Sequence, residues 1–183
     1  AKSFLPSAKE LDKFWNSSRP TENIKPIIFD STYTDQNTGT LFSKQFFDIL
    51  ATTMSSKVVG DAPGRKMHGC VGFENNEGFR ILGLLSFRSD SHTLKVRDDF
   101  VGWTKPIRAK NREHIVNIST CVPTQPFGHD RLGGKFVALY AHTFVDAWEK
   151  KYNIKVVGLI TTSLHGSLSQ YTNLKGWKKL GQT

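Results

Sequence analysis

The chain is 183 residues long, 38% hydrophobic and carries a formal net charge of +9. That length suits one domain able to bury a core without disulfide or metal staples, and the charge points to a polyanionic partner, nucleic acid ahead of an anionic membrane. No window approaches a transmembrane span and no charged-then-apolar leader opens the chain, so a cytoplasmic protein with no membrane partner is expected. Cys70 and Cys121 lack CxxC spacing and read as reduced thiols.

Ser7-Ala8-Lys9-Glu10 has capping-box spacing ahead of Leu11, Phe14 and Trp15 and predicts a short first helix. Pro20 and Pro26 flank a break, after which Ile27, Ile28 and Phe29 read as a strand. Asp35 to Gly39 is rich in turn formers. Leu41, Phe42, Phe46, Ile49, Leu50 and Met54 follow helical spacing, with Lys44 and Asp48 outside that stripe. Residues 60–64 read as loop. Met67 to Phe73 and Phe79 to Phe87 predict two strands joined across Glu74 to Gly78 as a hairpin, and Thr93 to Val96 reads as a third. Thr104, with Pro106 close behind, starts a helix running to His114. Ile115 to Val122 becomes a strand that Pro123 and Pro126 stop.

Gly133-Gly134 opens the longest helix, to Tyr152, with Phe136, Val137, Tyr140, Phe144, Val145 and Trp148 as its apolar face. Val156 to Ile160 reads as a central strand buried on both sides, parallel to the strand before the helix by a right-handed crossover. A helical turn near Tyr171 and a strand over Trp177 to Leu180 complete the sequence. The expectation is a single α/β domain with a mixed, twisted sheet and helices on both faces. Residues 1–65 add a helical extension and first strand to a core over 66–183.

Arg131-Leu132-Gly133-Gly134-Lys135 approximates the R/Q-x-x-G-x-G/A loop of acyl-CoA enzymes, its second glycine one place early. Glycines let a phosphate approach the backbone, a helix start supplies unpaired N–H donors, and Arg131 and Lys135 add charge; the alternative is a plain turn before a helix. Asn111, Arg112, His114 and Asn117 gather at a helix-to-strand junction, facing a cleft or satisfying backbone. His165, Ser167, Ser169 and Tyr171 follow the central strand, and His165 is a candidate base near neutral pH; alternatively they belong to a polar loop, with Tyr171 packed under Trp177. His68 and Cys70 share a strand face without further ligands nearby, so no metal is expected. Arg97-Asp98-Asp99 looks like a charged catalytic cluster, but an ion pair fixing the loop before Trp103 is the preferred reading. Lys105, Arg108, Lys110 and Arg112 form a basic run beside Trp103. It could follow a phosphate backbone with one stacking platform, or be a solvated helix face.

Arg97-Asp98, Val101-Gly102-Trp103, Arg108, Asn111 and Ile115-Val116-Asn117, with Trp148 and Tyr152 further on, resemble the DruA-like domain of Druantia anti-phage systems. Gly166 to Tyr171, followed by Gly176-Trp177, is similar to that family and to the Mom DNA-modification proteins of phages; both resemble the GNAT acyltransferase-like superfamily. The resemblance covers Lys66 to Thr183. Where relatives carry Gly-Thr-x-Tyr, this chain has an insertion before Tyr171, and where they carry an acid at the strand end it reads Thr161-Thr162-Ser163.

The resemblance implies a GNAT-like fold and a donor such as acetyl-CoA or another acyl-CoA held at Arg131, Leu132, Gly133, Gly134 and Lys135. It implies transfer of an acyl-type group to a nucleic-acid base, with Tyr171, His165 and Asn117 at the reacting centre. Trp103, Lys105, Arg108, Lys110 and Arg112 would hold nucleic acid, DNA first. It equally admits a non-catalytic nucleic-acid-binding module of an anti-phage assembly, with other defence-system proteins as partners.

Overall fold

The first helix forms where its cap predicts. In the computed structural model, which describes residues 2–17, 20–54, 63–91, 93–131, 133–163 and 169–181, α1 (Ala8–Trp15) opens with Ser7 Oγ accepting from the Glu10 amide at 3.3 Å. Glu10 Oε2 in turn accepts from the Ser7 amide at 2.8 Å, the reciprocal pairing of a capping box. Next come β1 (Lys25–Ile28), α2 (Lys44–Met54), β2 (Lys66–Asn75), β3 (Gly78–Ser89), α3 (Lys95–Val101) and α4 (Lys105–Asn111). Then follow β4 (Ile115–Pro123), α5 (Phe127–Asp130), α6 (Gly133–Tyr140), α7 (Val145–Tyr152) and β5 (Gly158–Ile160).

The strands make one mixed, twisted sheet in sequence order. β1 to β4 are antiparallel throughout and β5 runs parallel to β4. The middle strand, β3, is buried over residues 78–87. On one face Phe79, Ile81 and Leu84 pack with Phe42, Phe47 and Leu50 around α2. On the other, Leu82, Leu85 and Phe87 pack with Phe14, Val137, Phe144 and Trp148. Burial of each such side chain contributes about 1.5–3 kcal/mol, so both layers of helices are held by this one strand. Close approach depends on two glycines: a Cβ at Gly83 would stand 2.2 Å from Val137, and one at Gly69 would stand 2.2 Å from Phe144.

The structure corrects four expectations. Thr93 to Val96 is not a strand; Leu94 is an extended cap and α3 begins at Lys95, with Arg97 and Asp98 turned inward together. The long helix is broken into α6, a 3-10 stretch over Ala141–Phe144, and α7. There Thr143 Oγ1 donates to the Tyr140 carbonyl at 2.7 Å and His142 Nδ1 lies 2.6 Å from the Leu139 carbonyl, so side chains compete for acceptors that a continuous helix needs. β5 is an edge strand and half-exposed, not central, because sheet order is set by β4 lying between it and β3. Trp177 to Leu180 forms no strand; Trp177 packs on Tyr171 instead, ring centroids 4.5 Å apart. Of the expected loop over 60–64, residues 60–62 lie outside the described residues.

Candidate functional site

The β4–β5 ladder is short: Ile115, Val116 and Asn117 face Gly158, Leu159 and Ile160. It ends where β4 bulges. Ser86 of β3 faces Thr120 while Phe87 faces Ile118, leaving Ser119 as the extra residue, and a bulge bends its strand and breaks the ladder. Beyond it β4 pairs with β3 while β5 departs. Side chains close the notch: Thr161 Oγ1 donates to the Ile118 carbonyl at 2.9 Å and Gln170 Nε2 to the Cys121 carbonyl at 2.8 Å. Carbonyls that a longer β5 would have paired are thereby satisfied.

Tyr171 sits in this notch with its ring on Trp177 and its hydroxyl bonded to the Cys121 thiol. Burial, with Cys121 as neighbour, holds that hydroxyl far above its ordinary range, and burial pushes the Cys121 thiol up to about 12. Both groups keep their protons at neutral pH. Tyr171 is therefore a hydrogen-bond donor, and Cys121 is not a thiolate nucleophile.

α6 starts on the rim of the notch. A Cβ at Gly133 would stand 2.7 Å from the Phe127 ring, and one at Gly134 would stand 2.7 Å from Gln170 Oε1. The Gln170 carboxamide thus lies against the helix start. Arg131 pairs with Asp12 of α1, and Lys135 Nζ donates to the Thr172 carbonyl at 2.7 Å. Leu132 and His165 lie outside the described residues. Asn117 stands in the last β4–β5 register pair, half-exposed and on the far side of the bulge from Cys121. The structure joins Tyr171 to the start of α6 through Gln170.

A second cluster underlies the basic run. Arg97 is 1% exposed. Its Nε and Nη2 donate to Asp98 Oδ1 at 2.9 and 2.6 Å, its Nη1 pairs with Asp90, and Nη1 also donates to the Ser91 carbonyl at 3.2 Å. Arg108 Nη1 donates to Asp98 Oδ2 at 2.8 Å, and the Trp103 ring centroid lies 5.4 Å from the Arg97 guanidinium carbon. Burial raises the Asp90 pKa against the pull of Arg97. Burial also works against the charge on Asp98, but Arg108 and Arg97 outweigh it and lower its pKa. Of the basic run, Arg108 is tied inward, Lys105 and Lys110 are exposed on α4, and Arg112 is half-buried in the turn that follows. The sequence carries no local signal for Gln170, Thr161 or Asp90, since each acts on a partner the fold brings to it.

His68 Nδ1 lies 2.7 Å from Ser86 Oγ, and its ring lies against Phe47. Among the described residues no group of three or more His, Cys, Asp or Glu could hold a metal ion, and no helix is long and apolar enough to cross a membrane.

A family model described as Druantia protein DruA matches residues 18–183. The chain belongs to the DruA family. It is 25% identical over 184 residues to Druantia protein DruA of Escherichia coli (strain UMEA 4076-1), a match covering 92% of this chain and 43% of the relative; the chain thus spans less than half the length of that protein. No solved structure matches it.

Proposed function

We propose that this chain is a DNA-associated member of the Druantia anti-phage machinery, built on a GNAT-like core, and that it meets nucleic acid over α3 and α4. One observation carries this reading. The Arg97–Asp90–Asp98–Arg108 network ties α3 to α4 and leaves Lys105 and Lys110 exposed on the same helix, next to Trp103 on a chain of net charge +9. A fixed helix with exposed cations beside an aromatic ring suits phosphate positioning with little base readout.

The test is titration with a short duplex and its single strand across a salt series. If about four to six phosphates are neutralised, log affinity on duplex falls against log salt with a slope of roughly −3.6 to −5.4. The double variant Lys105→Glu, Lys110→Glu weakens binding evenly across sequences and leaves Tm unchanged, since both side chains are exposed. Binding that ignores salt, or ignores the double charge reversal, overturns the reading. Arg108 is a poorer probe, because its loss also strips Asp98 of a partner.

Group transfer is the second reading, favoured by the notch itself: the bulge at Ser119 parts two parallel strands where a protonated tyrosine hydroxyl lies. A hydroxyl so placed could hand a proton to a leaving group, with a base amine extruded toward it as acceptor. An acyl-CoA would set its pyrophosphate at Gly133-Gly134. Against that donor, Gln170 lies on Gly134 while Arg131 and Lys135 are engaged with Asp12 and the Thr172 carbonyl. Calorimetry with coenzyme A on the parent and on Gln170→Ala separates the readings. Binding that Gly134→Val then removes supports transfer; no binding by either protein at millimolar ligand leaves a DNA-binding module.

A further inference from the structure

A groove of about 1610 Å³ runs between β5, α3, α6 and residues 169–181. Its outer wall is the chain over 169–181. That segment begins in the notch, where Tyr171 packs on Trp177, and ends on α3, where a Cβ on Gly181 would stand 3.2 Å from Val96. The volume exceeds the ~300–1,000 Å³ of pockets that take one small molecule. The groove therefore suits a length of chain better than a compact ligand.

Two kinds of side chain share its walls. Phe100, Trp103 and Trp177 line it as aromatic rings, and Phe100 is 54% exposed. Lys175, Lys178 and Lys179 line it as exposed cations. Among the described lining residues there is no carboxylate. Ring and cation meet at one point, since Lys178 Nζ lies 4.4 Å from the Phe100 ring centroid. A flat group laid on that ring would hold its own attached negative charge beside an ammonium. Rings and cations in one groove bind an unpaired nucleic-acid strand, whose bases stack while its phosphates are neutralised. Trp103 lies in the turn between α3 and α4, beside Lys105, so the groove continues the surface of α4.

We propose that this groove holds an unpaired strand of DNA, an inference that rests on α3 and α4 meeting DNA as described above. One base stacks on Phe100, the neighbouring phosphates meet Lys175, Lys178 and Lys179, and the strand leads past Trp103 onto α4. A duplex keeps its base faces inside the helix, out of reach of rings in a groove. An extended peptide gains affinity by adding to a sheet edge, and β5 offers only three residues of edge. A second copy of this chain would bring the same lysines face to face, a like-charge juxtaposition that suppresses self-pairing.

The experiment is a series of fluorescence-anisotropy titrations on the 183-residue protein. Its probes are an oligothymidylate of about ten nucleotides, within the site size of single-strand grooves, an abasic strand of the same length and a blunt duplex. The parent binds the abasic strand about tenfold more weakly than oligothymidylate, the scale of one stacked base. Phe100→Ala removes that difference and leaves the abasic strand and the duplex unchanged. Lys175→Ala, Lys178→Ala and Lys179→Ala together flatten the slope of log affinity against log salt by about 2 on oligothymidylate, at roughly 0.7 for each of three phosphates. They leave the slope on duplex as it was. The substituted side chains are exposed, and the abasic comparison needs no substitution. If the groove variants bind oligothymidylate as the parent does, the groove proposal falls. The reading of α4 still stands if Lys105→Glu with Lys110→Glu weakens the duplex. Equal weakening of duplex and single strand by the groove variants also overturns the proposal, as does displacement of oligothymidylate by a peptide of alternating Phe and Glu. No binding of any probe by the parent removes both.

Discussion

Arg97→Met strips a guanidinium from the interior while keeping an apolar stem of similar length. Asp90 has a side chain 0% exposed and Asp98 one 9% exposed, so two buried carboxylates lose a cation together. Asp98 retains Arg108, and Asp90 keeps the Ser91 amide at 2.7 Å. Breaking a buried pair from one side costs about 3–5 kcal/mol, and in a chain of this size each kcal/mol moves Tm by roughly 2–4 °C; a fall of about 6–20 °C is expected. The loss depends on pH. Burial already raises the Asp90 pKa above its unfolded value, and without Arg97 it rises further. The charged carboxylate is then the form that folding disfavours, so the deficit is greatest above the folded pKa and shrinks as pH falls through it. Urea titrations at about pH 7 and about pH 5 read this directly, as change in midpoint at constant slope. Arg97→Lys, which cannot reach Asp90, Asp98 and Ser91 at once, loses roughly half as much. Arg97→Met combined with Asp90→Leu recovers much of the loss, because apolar replacement of a buried pair is often near neutral. A deficit below about 1 kcal/mol, the scale of an exposed pair, or one identical at both pH values, would refute the view that this network holds α3 and α4.

Gly83→Ala places a Cβ 2.2 Å from Val137 and 3.0 Å from the Val122 carbonyl, and should cost about 1–3 kcal/mol by overpacking, read as a lowered Tm. Burial, with Lys44 nearby, lowers the His68 pKa to about 4, below the unfolded value of about 6.5. The unfolded chain takes the proton first, so the stability His68 supplies is complete above about pH 6.5 and is lost as pH falls toward about 4; His68→Phe should flatten the Tm profile across that window. Tyr171→Phe keeps the contact with Trp177 and removes the hydroxyl from Cys121, which should cost about 1 kcal/mol, against about 3–5 for Tyr171→Ala. Under the transfer reading the Phe variant alone would also cut turnover by about 10²- to 10⁴-fold.

Local features of this fold are legible in the sequence because their causes are local. The Ser7–Glu10 cap sets α1, alternation with a turn between sets the β2–β3 hairpin, and Pro123 ends β4. The parallel relation of β4 and β5 follows from the helical connection alone. What lay out of reach depends on distant partners. Lys95 to Val101 is helical because Arg97 finds Asp90 and Arg108 finds Asp98, whereas the sequence shows a short alternation ahead of a charge cluster. The apolar run ending at Ile160 looks the same whether its second side meets a strand or an open groove. Tyr171 and the Gly-Gly start were legible as individual features. Gln170, which connects them, was not, because an amide between two polar loops has no pattern of its own.

Ser119 sets the phase of β4. Upstream, Val116 and Ile118 look toward α6; downstream it is Cys121 that does so, and Val122 turns to the α2 layer. One residue therefore divides the strand into two frames, the first in step with β5 and the second out of step with it. Length at this position is worth more than side-chain identity: a serine exchanged for alanine leaves both frames standing, whereas a residue removed would merge them. Cys121 would then stand two positions after Ile118, still facing α6, but the bend that parts β4 from β5 would be lost. The notch is thus written into the chain as a count, and the side chains that fill it depend on that count being kept.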